Sequence, residues 1–178
     1  MCFNYGEVEA KASTFFVASQ RDWTYIYSTL KTHTMKSTTN LTDLKPKQIK
    51  SVIMSTLDWC FTNLKAPKRS RTFNGVKIPM PTMTVFISKR KGSQHIPAND
   101  ALGEYSPFLN QITLVPSNIG SVVDLVEVII HEYTHSTQKL TDYYKLDKKY
   151  GYLLNPYEVE ARLVAATYAD VCCYEILK

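Results

Sequence analysis

The chain has 178 residues, 44% hydrophobic and 21% charged, with a formal net charge of +5. That balance excludes a disordered or low-complexity chain, and the length suits one compact domain over residues 1–178. No apolar run approaches the ~20 residues that span a bilayer, and the longest stretch, Val122–Ile130, carries Asp124 and Glu127.

In chain order, residues 1–20 offer only a short apolar element at Phe15-Phe16-Val17. Met1–Glu7 has no basic stretch followed by an apolar core, so no signal peptide is expected. A cytoplasmic or virion-associated location follows as the expectation. Residues 21–31, with Trp23, Tyr25, Ile26 and Leu30, are compatible with a helix; residues 32–43, rich in Thr, Ser and Asn, read as a loop. Pro46 opens a clear helix over 46–64. Ile49, Val52, Ile53, Leu57, Cys60, Phe61 and Leu64 recur there at helical spacing and predict a core face. Residues 65–82 are basic and proline-bearing, with a turn signal at Asn74-Gly75. Met83–Ser88 predicts a strand and residues 89–102 a loop. Residues 103–115 predict one or two strands around Pro107, with a tight turn at Asn110. A proline there marks an edge strand, and an edge strand can pair with an extended peptide. Ser121 with Asp124 three positions later is a capping start for a helix over about 121–139. Residues 140–154 read as a mobile tyrosine-rich connection. Asn155 and Pro156 then open a last helix over about 156–176.

The helix expected over 121–139 contains His131-Glu132-Tyr133-Thr134-His135, an H-E-x-x-H pattern. Positions i and i+4 share one helix face, about 5–6 Å apart at Cβ, so two imidazoles can grip one cation from one side. Glu132 is rotated about 100° from His131 and can reach a water without displacing a ligand. Buried histidines beside a carboxylate are costly unless something satisfies them, and a divalent metal does so. Val126, Val128, Ile129 and Ile130 make this helix apolar and therefore an interior one. His33 and His95 lie in polar, loop-like stretches and read as solvated side chains.

A catalytic zinc usually takes three protein ligands. Gln138, Lys139 and Thr141 follow the motif, so the metzincin continuation H-x-x-G-x-x-H is absent. The best source of a third ligand is the last helix. Glu158 begins a series with Ala161, Ala165 and Ala169, small residues that let the histidine helix approach closely. Glu158 is preferred; Glu160, on a face with Val164, Thr167 and Val171, stays open.

H-E-x-x-H followed by a glutamate in an E-x-x-A helix resembles the gluzincin group of zinc metallopeptidases, closest in style to the minimal domains found in bacteria and phages. The resemblance covers about residues 83–178, the expected catalytic core, with residues 1–82 as an N-terminal helical portion. It implies an α+β, zincin-like fold: a small mixed or antiparallel sheet with an edge strand beside the H-E-x-x-H helix, backed by helices. It also implies Zn2+ held by His131, His135 and Glu158, with Glu132 as general base. Many gluzincins add a tyrosine or histidine that steadies the oxyanion. Tyr157 is the first choice here, with Tyr152, Tyr150 and Tyr105 also open. One position departs from the group: Arg162 stands where many members carry an aspartate, so support for a histidine must come from another residue.

The expected activity is hydrolysis of a polypeptide by a metal-activated water. The competing readings are a catalytically silent, virion-associated protein of the same fold and, behind it, a protease associated with nucleic acid. The last is motivated by charge. No Asp or Glu lies between Asp58 and Asp100, an interval holding Lys65, Lys68, Arg69, Arg71, Lys77, Lys89, Arg90 and Lys91. Residues 65–91 therefore offer a surface for an anionic partner. Aromatic residues are sparse among them, which argues for solvated basic loops instead. The four cysteines, Cys2, Cys60, Cys172 and Cys173, form no C-x-x-C pair and read as reduced, buried residues.

Overall fold

The computed structural model describes residues 39–67, 70–73, 76–79, 82–87 and 101–178. The expectations for Phe15-Phe16-Val17, residues 21–31, His33, His95 and Cys2 lie outside these residues, as do those for Lys68, Arg69 and Lys89–Lys91. Ser37–Lys178 form one compact unit. It contains helices α1 (Pro46–Asn63), α2 (Val122–Thr137), α3 (Tyr143–Tyr150) and α4 (Pro156–Ile176), and strands β1 (Ser70–Phe73), β2 (Val76–Pro79), β3 (Thr84–Ile87), β4 (Gly103–Ser106) and β5 (Gln111–Leu114). The class is α+β. No helix among the described residues is long and apolar enough to cross a membrane.

β1 and β2 pair as an antiparallel hairpin on either side of the Asn74-Gly75 signal. The other sheet is mixed, in the order β3-β5-β4. β3 runs parallel to β5, with Val85 opposite Ile112, and β4 runs antiparallel to β5, with Tyr105 opposite Ile112. The 103–115 stretch is thus two strands. Asn110 closes their turn at φ 50°, a left-handed conformation that Asn tolerates, and the Tyr105 hydroxyl donates to its Oδ1 at 2.8 Å. Ile112 and Leu114 are fully buried, so β5 carries the inner face of the sheet. Among the described residues β4 is an edge strand, as Pro107 predicts.

α2 is the central element. Its N-terminus is closed by the expected box: Asp124 N–H donates to Ser121 Oγ at 3.2 Å, and Ser121 N–H donates to Asp124 Oδ2 at 3.0 Å. Val122, Leu125, Val126, Ile129, Ile130 and Tyr133 are buried on it, each contributing about 1.5–3 kcal/mol through burial. α2 packs most extensively on α4, then on α1, with β4 on its remaining flank. α4 buries Ala161, Ala165, Ala169, Cys172 and Cys173, with Cys172 beside Thr56 of α1. α1 presents Val52, Ile53, Leu57 and Cys60 inward, and Trp59 Nε1 donates to Glu175 Oε2 at 2.6 Å, tying α1 to α4.

The connection 140–154 is largely helical. Two 3₁₀ turns, Leu140–Asp142 and Tyr152–Leu154, flank α3. α3 has no fully buried residue. It is held at its ends: Asn155 Nδ2 donates to the Tyr143 carbonyl at 3.3 Å, and Gly151, at φ 74°, stops the helix where a side chain would be strained.

Candidate metal centre

His131 and His135 stand one turn apart on α2, with rings 4.8 Å apart between centroids and nearly perpendicular at 84°. Their Nε2 atoms converge to 3.1 Å. Glu158, in the first turn of α4, completes the group. Its Oε2 lies 3.3 Å from His131 Nε2 and its Oε1 lies 3.3 Å from His135 Nε2. The three residues form the one set of His, Cys, Asp and Glu side chains among the described residues that could hold a metal ion. A tetrahedral centre with bonds of about 2.0–2.1 Å holds its donors about 3.3–3.4 Å apart. The two imidazole nitrogens lie 3.1 Å from each other and 3.3 Å from one carboxylate oxygen each, close to that spacing.

Two further observations fit a cation. Glu158 is only 2% exposed, and its Oε2 faces the His131 imidazole at 3.3 Å and makes no shorter hydrogen bond among the described residues. A buried carboxylate oxygen left with so long a contact is costly. The Asn155 side chain caps α4 by accepting from Tyr157 N–H at 3.1 Å, so Glu158 is not used as a helix cap. Instead the Tyr143 hydroxyl donates to Glu158 Oε1 at 2.7 Å and orients the carboxylate.

Electrostatically the group is tightly coupled. Burial raises the Glu158 carboxyl, but hydrogen bonds from His131, His135 and Tyr143 outweigh burial and hold it well below the ordinary carboxylate range. Burial lowers the His135 imidazole, but the Glu158 carboxylate, then Glu132 and Gln138, more than offset this and raise it. Glu132 is raised, first by burial and also by Glu158; both histidines and the Tyr105 backbone amide oppose the shift. Its carboxylate lies beside β4, where the absent side chain of Gly103 leaves room. A Cβ there would come within 3.3 Å of Glu132 Cγ and 2.8 Å of Val128 Cγ1.

Glu160 does not join the triangle. Its Oε2 accepts from Gln138 Nε2 at 2.9 Å. Gln138 also reaches His135, with Oε1 at 2.8 Å from Nδ1. No metal-binding pattern marks Gln138 in the sequence. The Arg162 guanidinium donates instead to the Leu153 carbonyl and lies 6.0 Å from the centre of the Tyr152 ring.

The four candidate tyrosines separate clearly. The Tyr157 hydroxyl donates to the Lys139 carbonyl at 2.6 Å, and its ring stacks on Tyr143 at 6.2 Å, so the structure turns it away from the triangle. Helix geometry explains the difference: Tyr157 precedes Glu158 by one residue and points about 100° away from it. Tyr105 spends its hydroxyl on Asn110. Tyr150 lies under Lys149, 4.7 Å from its Nζ. Tyr152 alone senses both carboxylates. Burial raises its hydroxyl to about 12, helped by the charge of Glu158, a hydrogen bond to it, and the charge of Glu132.

Comparison with protein-family models, curated proteins and solved structures gave no match to the chain. The site is therefore read from its own geometry.

Proposed function

We propose that the chain is a zinc-dependent metallopeptidase with a zincin-like fold of the gluzincin type. The observation that carries this reading is the Nε2–Nε2–carboxylate triangle, with edges of 3.1, 3.3 and 3.3 Å, closed by a buried glutamate from a second helix. Two imidazoles and one carboxylate favour zinc among the common divalent cations. His131, His135 and Glu158 would hold it. When bound, zinc acidifies water and polarises a carbonyl.

The remaining chemistry belongs to the chain. Glu132, buried next to both histidines, takes a proton from the attacking water and returns it to the leaving amine. β4, an edge strand among the described residues, would take an extended peptide past Glu132 by strand addition. The Tyr152 hydroxyl, rather than that of Tyr157, is the donor best located for the developing oxyanion. Its exposure suits a group that meets substrate, and Arg162 anchors the turn that carries it.

The test combines metal analysis with proteolysis. The purified protein should carry one zinc per chain, and it should cleave an unfolded protein substrate in a reaction that chelators stop and zinc restores. Glu132→Gln should keep zinc and lose cleavage. Zinc retention with no cleavage by the parent on any substrate would favour the silent, structural alternative.

A further inference from the structure

Gln138 is buried, three residues beyond the second histidine, and the chemistry above does not use it. We infer that it is a positioning residue that fixes His135 in the Nδ1–H tautomer, leaving the Nε2 lone pair for the cation. It also couples that histidine to the helix that supplies Glu158. This inference rests on the metal reading of the site.

The orientation of the amide follows from its neighbours. Gln138 leaves α2 in an extended conformation, and its backbone N–H still donates to the His135 carbonyl at 3.2 Å. Its side chain meets three groups: His135 Nδ1 at 2.8 Å, the Tyr157 carbonyl at 2.9 Å and Glu160 Oε2 at 2.9 Å. The last two only accept, so the amide NH2 must face them. Reversing the amide would set its oxygen against a carbonyl and a carboxylate at once. The oxygen therefore faces the imidazole, and an amide oxygen cannot donate. Nδ1 must then carry a proton, and a proton that Nε2 shares with Glu158 Oε1 at 3.3 Å is the one a cation would displace, leaving the neutral ring in the Nδ1–H form. Orientation is thus passed from Glu160 to Gln138 to His135. Partners of this kind commonly change metal affinity about 10–100-fold when removed.

Gln138→Met keeps the buried volume and removes all three side-chain bonds. The zinc affinity of the full chain, measured by competition with a chromophoric chelator, should fall by about 10–100-fold. In metal-free protein, nitrogen NMR in alkaline buffer, well above the ordinary imidazole pKa of about 6.5, should show His135 leaving the Nδ1–H form. The swap Gln138→Glu with Glu160→Gln exchanges acceptor and donor, keeps an acceptor on His135 Nδ1, and sets a carboxylate oxygen in place of the donor to the Tyr157 carbonyl. It should restore the tautomer and most of the affinity. Parental affinity and an unchanged tautomer in Gln138→Met would overturn the inference. Should Gln138→Met fail to fold, the swap decides, and a swap protein without the Nδ1–H form overturns it equally. If the parent binds no zinc, the metal reading fails, and the tautomer of the metal-free parent still decides the role of Gln138.

Discussion

Gly103→Ala tests how closely the edge strand must approach the histidine helix. The new Cβ would lie 2.8 Å from Val128 Cγ1, 3.3 Å from Glu132 Cγ and 3.3 Å from the Thr113 carbonyl. Valine in a helix has one strongly preferred χ1, so Val128 cannot swing aside cheaply. Strand and helix must separate, and overpacking of this kind costs about 1–3 kcal/mol. For a chain of this length about 2–4 °C is lost per kcal/mol, so the melting temperature should fall by about 2–12 °C. The ligands come from α2 and α4, so zinc affinity should change little. Cleavage should fall, because β4 carries the Tyr105 amide that acts on Glu132. Val128→Ala alone should cost about 1–3 kcal/mol through lost burial. In that background the 2.8 Å contact is gone, and Gly103→Ala should cost less than half as much. The assay is a double-mutant cycle by urea denaturation, with an expected coupling of about 0.5–3 kcal/mol. Costs that add to within about 0.3–0.5 kcal/mol would refute the steric reasoning.

Four further outcomes follow from the site. Glu132→Gln should lower kcat about 10²–10⁴-fold with zinc retained, whereas His131→Ala should lose zinc, as read by metal analysis after gel filtration. Tyr152→Phe should lower kcat about 10²–10³-fold at parental zinc affinity; Tyr157→Phe, which removes only the bond to the Lys139 carbonyl, should stay close to the parent in the same steady-state assay. Metal-free protein should show a pH signature. The depressed Glu158 stabilises the fold above about pH 4.5 and loses this as pH falls below, while the raised His135 stabilises it below about pH 6.5 and loses this as pH rises through its raised pKa. The melting-temperature gap between chelated parent and Glu158→Gln should be widest between those limits. Finally, burial raises the Cys60, Cys172 and Cys173 thiols, the latter two to about 12, so iodoacetamide should label these three only after unfolding, by mass spectrometry.

Where local chemistry decides an element, the sequence made it readable. Ser121 and Asp124 mark the start of α2, Asn155 and Pro156 that of α4, and Pro107 with Asn110 the β4–β5 turn. Glu158 was legible because it continues the stripe of Ala161, Ala165 and Ala169, and small residues on one face mean a close neighbour. α3 was not legible: it buries no residue fully and depends on Asn155 and Gly151 at its ends. Nor was the choice among tyrosines, since a hydroxyl's partner is fixed by tertiary packing. Proximity to Glu158 in sequence favoured Tyr157, but adjacent helical residues diverge, and the Tyr157 hydroxyl donates to the Lys139 carbonyl. Gln138 was hidden for the same reason. Its partners Tyr157 and Glu160 lie about 20 residues away, on another helix.

The triangle could in principle be a buried ion pair that needs no cation, and energetics argue against that alternative. A buried pair offsets its desolvation only when the remaining lone pairs are satisfied. Here Glu158 Oε2 has only the long 3.3 Å contact to His131, and a second carboxylate, Glu132, is buried close enough to raise the cost further. Two imidazole nitrogens facing each other at 3.1 Å can share at most one proton comfortably. The Gln138 contact assigns the proton of a neutral His135 to Nδ1, which leaves its Nε2 lone pair facing a carboxylate oxygen, Glu158 Oε1, at 3.3 Å. A divalent cation removes all of these costs at once: it satisfies the lone pairs, offsets both carboxylates and needs no proton between the rings. Chelation should therefore lower the stability of the folded chain by more than the loss of one surface ion pair, which is worth about 0–1 kcal/mol. A melting temperature unchanged by chelation and by added zinc would mean that the three side chains balance one another without a metal.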